Sequence, residues 1–82
     1  MNVLVSGSFQ DQARTAAINL SPTLPEVVRV LERLRPETLT SDPMIHRLSG
    51  TDEEIYVMRF RNLRIFLTKN GPDVILLGIN KG

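Results

Sequence analysis

The final third of the chain constrains the fold most, because three strand-like runs follow one another there with only tight breaks between them. Residues 55–61, Ile55-Tyr56-Val57-Met58-Arg59-Phe60-Arg61, alternate with a period of two. That spacing predicts Tyr56, Met58 and Phe60 on one face, and Ile55, Val57, Arg59 and Arg61 on the other. A break at Asn62-Leu63 leads into Arg64-Ile65-Phe66-Leu67-Thr68-Lys69. Asn70-Gly71 is a strong hairpin signal, extended here by Pro72-Asp73. Val74-Ile75-Leu76-Leu77 then reads as a central strand buried on both faces. Strands joined so closely are predicted to form an antiparallel meander.

The N-terminal half has a different period. Val3-Leu4-Val5 suggests a short strand within residues 2–6, broken at Gly7. Ser8 and Asp11 stand at capping-box spacing, and Phe9, Ala13, Ala16, Ala17 and Leu20 fall on one helical stripe. After Ser21-Pro22-Thr23, a second box at Thr23 and Glu26 tolerates Pro25 in its first turn. Leu24, Val27, Val28, Leu31 and Leu34 form the next stripe, widened by Val30, and Pro36 ends the helix. Two amphipathic helices with so short a break predict an antiparallel helical hairpin. Residues 36–54 have no clear period and read as connecting chain, with a short extended piece over 44–48 and a solvated tip at Asp52-Glu53-Glu54.

Helices early and strands late predict an α+β two-layer sandwich: an N-terminal strand, a helical hairpin, then an antiparallel three-strand meander. The hairpin would cover one face of the sheet and leave the other free for polar chemistry. At 82 residues there is room for a single domain, 1–82, and each amphipathic element is needed for its core. Apolar residues at 41% and charged residues at 23% argue against disorder. Without cysteine, neither a disulfide nor a thiolate metal site can form. The N-terminus lacks the features of a signal peptide. No apolar run approaches the ~20 residues of a membrane helix. A soluble, cytoplasmic setting is the expectation.

The net charge of +1 gives little long-range steering toward nucleic acid. Its make-up says more, since eight of the ten basic residues are arginine, whose planar fork grips phosphate or carboxylate in bidentate fashion. Arg14, Arg29, Arg33 and Arg35 suit exposed ion pairs on helices. The others gather toward the C-terminal half.

Three segments resemble the RelE/ParE superfamily of toxins from type II toxin-antitoxin systems. One is the order of elements, with a short strand entering a helical hairpin. Another is Ile45-His46-Arg47-Leu48-Ser49-Gly50, similar to the basic-Leu-x-Gly segment that precedes the family's meander. The third is the stretch 55–66, similar to the family's strand-arginine, turn, second-arginine pattern. The closing run 74–81 looks like the family's last core strand, which ends in a glycine followed by a basic residue. Architecture matches over nearly the whole chain, and residues 45–81 match in detail. The chain departs from the pattern in carrying Asn62-Leu63 where the family has a glycine-aromatic turn. It also stops at Gly82, without the tail that often bears a catalytic tyrosine or histidine.

The resemblance implies a cytosolic toxin held inactive by a cognate antitoxin. Members similar to RelE cleave messenger RNA on the ribosome without a metal or other cofactor. Members similar to ParE inhibit DNA gyrase and lack nuclease residues, and a shortened member would serve as a partner-binding module. Metal-free RNA cleavage must deprotonate a 2′-hydroxyl, stabilise the crowded phosphate and protonate the leaving 5′-oxygen. Arg64 and Arg59 are the candidates for phosphate stabilisation. His46, the only histidine, is the candidate for proton transfer. Arg47, Arg61 and Lys81 are candidate RNA-binding residues. Tyr56, the only tyrosine, is assigned to packing beside Met58 and Phe60.

Overall fold

A computed structural model describes residues 2–82. In chain order it contains β1 (Val3–Val5), α1 (Gly7–Thr15), α2 (Leu20–Glu32), a 3-10 segment (Pro36–Ser41), β2 (Ile45–Arg47), β3 (Ile55–Phe60), β4 (Leu63–Asn70) and β5 (Asp73–Lys81). The strands form one five-stranded sheet in the order β1-β5-β4-β3-β2. The meander of β3, β4 and β5 is antiparallel, as the alternation predicts. Two features extend that expectation: β1 joins β5 in parallel, and β2 adds an antiparallel edge beside β3.

Both hairpin turns are two residues long. Asn70 pairs with Asp73, so Gly71-Pro72 is the loop rather than Asn70-Gly71. Gly71 takes φ +61°, which suits a hairpin with glycine at its first central position. Phe60 pairs with Leu63, so the first turn is Arg61-Asn62, one residue earlier than the expected break. Arg61 itself holds φ 57°, an uncommon conformation for a side-chain-bearing residue.

The helices begin earlier than the capping boxes suggested. Ser6, not Ser8, caps α1, its hydroxyl accepting from the Phe9 N–H at 3.1 Å. Ser8 instead lies within the helix, where its hydroxyl accepts from the Gln12 amide. Asn19 caps α2 by accepting from Ser21 N–H at 3.0 Å, so Thr23 and Glu26 lie inside the helix. Pro22 falls among the first residues of α2, where no N–H partner is required. Ala17 takes φ 56° between the helices, which removes it from the stripe and starts Leu20 on a new axis. α1 lies closely against β5, and its Phe9 and Ala13 share one buried core with Val27 and Leu31 of α2.

Beyond α2, Pro36 opens the 3-10 segment instead of merely ending a helix. That segment inserts Leu39 fully into the core, an anchor the aperiodic sequence did not disclose. The core lies between the helices and one sheet face. It is built from Phe9, Ala13, Val27, Leu31 and Leu39 against Ile45, Tyr56, Met58, Leu63, Ile65, Leu67, Val74, Leu76 and Ile79. Full burial of a large apolar side chain contributes about 1.5–3 kcal/mol, so these residues carry most of the stability. Among the described residues, no helix is long and apolar enough to cross a membrane.

One irregularity positions the rest. Leu67 pairs with Leu76 but Phe66 pairs with Gly78, so β5 carries an extra residue at Leu77. This bulge shifts the alternation by one and lets Leu76 and Ile79, three apart, face the same core. Beyond Leu76 the polar side chains of α1 replace β1 along this strand. Ser6 Oγ donates to Leu77 O at 3.4 Å, and Gln12 Oε1 accepts from Ile79 N–H at 2.9 Å. A Cβ at Gly78 would stand 2.6 Å from that same Gln12 oxygen, so a side chain there would force the Gln12 amide to move.

Candidate functional site on the open sheet face

Pairing across the sheet assigns each strand residue to the helix-covered face or the open one. On the open face, Arg59 lies directly opposite Arg64, and Arg64 opposite Asn80. The next row runs His46, Val57, Phe66, Gly78. A third contains Ile55, Thr68, Ile75 and Leu4, with Leu48 attached through its N–H to Ile55 O at 2.8 Å.

The three residues expected to act on RNA, Arg64, Arg59 and His46, therefore share one surface. Directly opposed residues have Cβ atoms ~4.5–5.5 Å apart, and diagonal neighbours such as His46 and Arg59 are separated by ~7–8 Å. Arg59 is also tied to the β2 end of the sheet by its N–H, which donates to Met44 O at 2.8 Å. Gly82 donates to Asn62 O at 2.7 Å and lies against Arg64, where a Cβ would stand 3.3 Å from Nε. The end of β5 thus flanks the Arg64 guanidinium.

The other three candidates do not join them. Arg61 occupies the turn instead of sharing the Arg59 face. Its guanidinium donates to Glu26 on α2 and lies 5.0 Å from the centroid of the Phe60 ring. Arg47 pairs with Tyr56 and so has the opposite parity from His46. Lys81 pairs with Leu63 and likewise has helix-face parity, exposed at the end of the sheet.

Tyr56 is buried on the helix side, and its hydroxyl donates to Glu54 Oε1 at 2.7 Å. Glu54 also meets Lys69 Nζ at 3.2 Å, so the acidic tip is anchored rather than merely solvated. The Tyr56 hydrogen bond, followed by that from Lys69, holds the Glu54 carboxyl below its ordinary range. Reciprocally, the bond to Glu54 raises Lys69.

The open face is less polar than expected. Ile55, Val57, Phe66, Ile75 and Leu77 are half-buried there, while Leu4 and Leu48 remain 45% and 37% exposed. Polar strand side chains on this face are the Arg59-Arg64-Asn80 row, His46, and Thr68, whose hydroxyl donates to Glu54 O at 2.7 Å. Ion pairs among the described residues involve Arg14, Arg61 and Lys69, never Arg59 or Arg64. Two like charges opposite each other without a carboxylate lower stability, and two such forks can bracket one phosphate. Among the described residues no cluster of acidic, histidine or cysteine side chains is arranged to hold a metal.

Phe66 and Asn80 were not singled out from the sequence. Phe66 stands two residues after Arg64, so alternation alone could have placed it on this face. Asn80 depends on the bulge at Leu77, whose one local signal is the glycine at 78 that interrupts the apolar run.

No family model matches the sequence, and no curated protein matches it. Among solved structures, the chain is similar to a copper-bound mutant toxin from Helicobacter pylori, with a TM-score of 0.68 at 18% sequence identity. The superposition covers 99% of this chain and 93% of that one. At that identity the likeness establishes a shared fold.

Proposed function

We propose that this protein is the toxin of a type II toxin-antitoxin pair, of the RelE/ParE kind, and that its open sheet face acts on RNA at the ribosome. The observation that carries the reading is the opposed Arg59-Arg64 pair, uncompensated by any carboxylate and adjacent to His46. The fold shared with a solved toxin supports the general role.

In the proposed reaction His46 takes the 2′-hydroxyl proton, and the 2′-oxygen attacks the adjacent phosphorus. Arg59 and Arg64 stabilise the added negative charge, and the bond to the 5′-oxygen breaks to leave a 2′,3′-cyclic phosphate. With Tyr56 turned to the helix side, His46 is the one proton-transfer group among the open-face residues named above. The 5′-oxygen then takes its proton from water or from a group on the ribosome. A cytoplasmic setting and an antitoxin covering this face belong to the same reading.

The apolar centre of the open face favours a second reading, a non-cleaving inhibitor whose target is a protein such as DNA gyrase. The two are separated by a reporter messenger RNA translated with purified ribosomes. Ribosome-dependent cuts that disappear in Arg64→Ala, with its thermal melt unchanged, support the nuclease. A chain that neither binds ribosomes nor cuts RNA overturns it, and gyrase-dependent DNA damage on expression supports the second reading.

A further inference from the structure

We infer that the open face holds a single unstacked nucleobase beside the arginine pair, stacked on the ring of Phe66 and read at its edge by the amide of Asn80. The inference rests on the RNA reading above and names what the site recognises.

A groove of about 340 Å³ runs along this face, bordered by Leu48, Ile55, Phe66, Leu77 and Asn80, with Gln12 at its Gly78 edge. That volume lies at the small end of the ~300–1,000 Å³ typical of small-molecule sites. Its walls are apolar except for the amides of Asn80 and Gln12. Phe66 is half-buried, and its cross-strand neighbour on β5 is Gly78, beside which the Gln12 amide lies. Arg64 is two residues away on the same strand and face, ~6.8 Å by the strand rise. One nucleotide spans that distance from phosphate to base. Charge therefore fixes which end of the groove receives the phosphate, and the aromatic ring receives the base.

Asn80 stands opposite Arg64 and is exposed. The other amide at this groove, Gln12, already donates to Ser8 Oγ and accepts from Ile79 N–H. Asn80 is thus the amide available to a ligand. A carboxamide offers one donor and one acceptor side by side, the pattern that matches the N6/N7 edge of adenine. As a packing residue alone, Phe66 would need only to cover Val57 beside it, and a leucine of similar bulk would serve.

The test uses the purified full chain in NMR titrations with four homotrinucleotides of RNA and with an abasic ribose-phosphate trimer. Wild type is expected to bind triadenylate tightest, about 5- to 150-fold tighter than the abasic trimer, the range that one base-aromatic stack supplies. Phe66→Leu should bring triadenylate down to the abasic level while leaving abasic binding unchanged, and Phe66→Tyr should keep wild-type affinity. Asn80→Ala should level the four bases, and Arg64→Ala should weaken every probe. If Phe66→Leu binds triadenylate as wild type does while Arg64→Ala loses it, the base subsite is wrong and the arginine reading stands. If wild type perturbs no resonance with any probe, both fail.

Discussion

The two faces of one sheet are built from alternate residues of the same strands, yet they obey different rules. On the helix-covered face, Tyr56, Met58, Ile65, Leu67, Val74, Leu76 and Ile79 are nearly or fully buried, and the only polar atom they bring is the Tyr56 hydroxyl. Packing accounts for every one of them. On the open face, the same strands present two opposed arginines, a half-buried phenylalanine and an exposed asparagine. Folding gains little from that set and loses something by the like-charge pair. Burial explains the helix-covered side chains, whereas it explains neither Arg59 and Arg64 nor Asn80.

The sharpest way to break this contrast is to truncate each face in turn. Ile65→Ala or Leu67→Ala leaves a cavity in the core and should cost about 2–5 kcal/mol in denaturant unfolding. Arg64→Ala should instead leave stability unchanged or raise it by about 0.2–1 kcal/mol through relief of repulsion. The same variant should lower ribosome-dependent cleavage by about 10²–10³, the usual loss when one transition-state donor is removed. A large fall in its melting temperature would show that the pair is structural after all.

Gly78→Ala probes the seam between the faces, where the bulge meets α1. The added methyl would displace Gln12 from the Ile79 N–H, a part-buried hydrogen bond whose loss costs about 0.5–1.5 kcal/mol. Gln12→Ala should show a loss of similar size, and the double variant should fall short of their sum because both act through one hydrogen bond. Glu26→Ala, which removes the partner of Arg61, should cost no more than about 1 kcal/mol, since both side chains are substantially exposed.

The smallest effect concerns pH. The folded-state pKa of Glu54 is lowered by Tyr56 and Lys69, so its contribution is present above the unfolded value and is lost as pH falls through the folded one. Lys69, raised by Glu54, contributes below its unfolded value and loses that contribution as pH climbs through the folded one. Glu54→Gln should therefore flatten the acid limb of a stability-pH curve by slightly lowering the neutral region, while the strongly acid end stays where it is in wild type. An unchanged acid limb would remove Glu54 from the account.

How much was legible follows from the range over which each signal acts. The alternation of 55–61 and the apolar run after Asp73 act locally, and both appear as strands in the structure. Arg59 and Arg64 were legible as neighbours across the first hairpin, but their direct pairing was not, because the turn falls at Arg61-Asn62, one residue before the expected break. Arg61 was not, since its left-handed backbone and its bond to Glu26 depend on an element 35 residues away. Leu39 was missed because a single anchor in aperiodic chain has no period to read.

By itself, then, the sequence determined the elements, the antiparallel meander and the arginines of its first hairpin, because alternation and turn chemistry are properties of neighbours. Tertiary structure decided the parallel pairing of β1 with β5, the bulge at Leu77 and the row that joins Asn80 to Arg64 and Arg59. Those are register choices between segments distant in sequence. They are settled by which side chains must reach a common core, and a shift of one residue would have sent Asn80 to the opposite face.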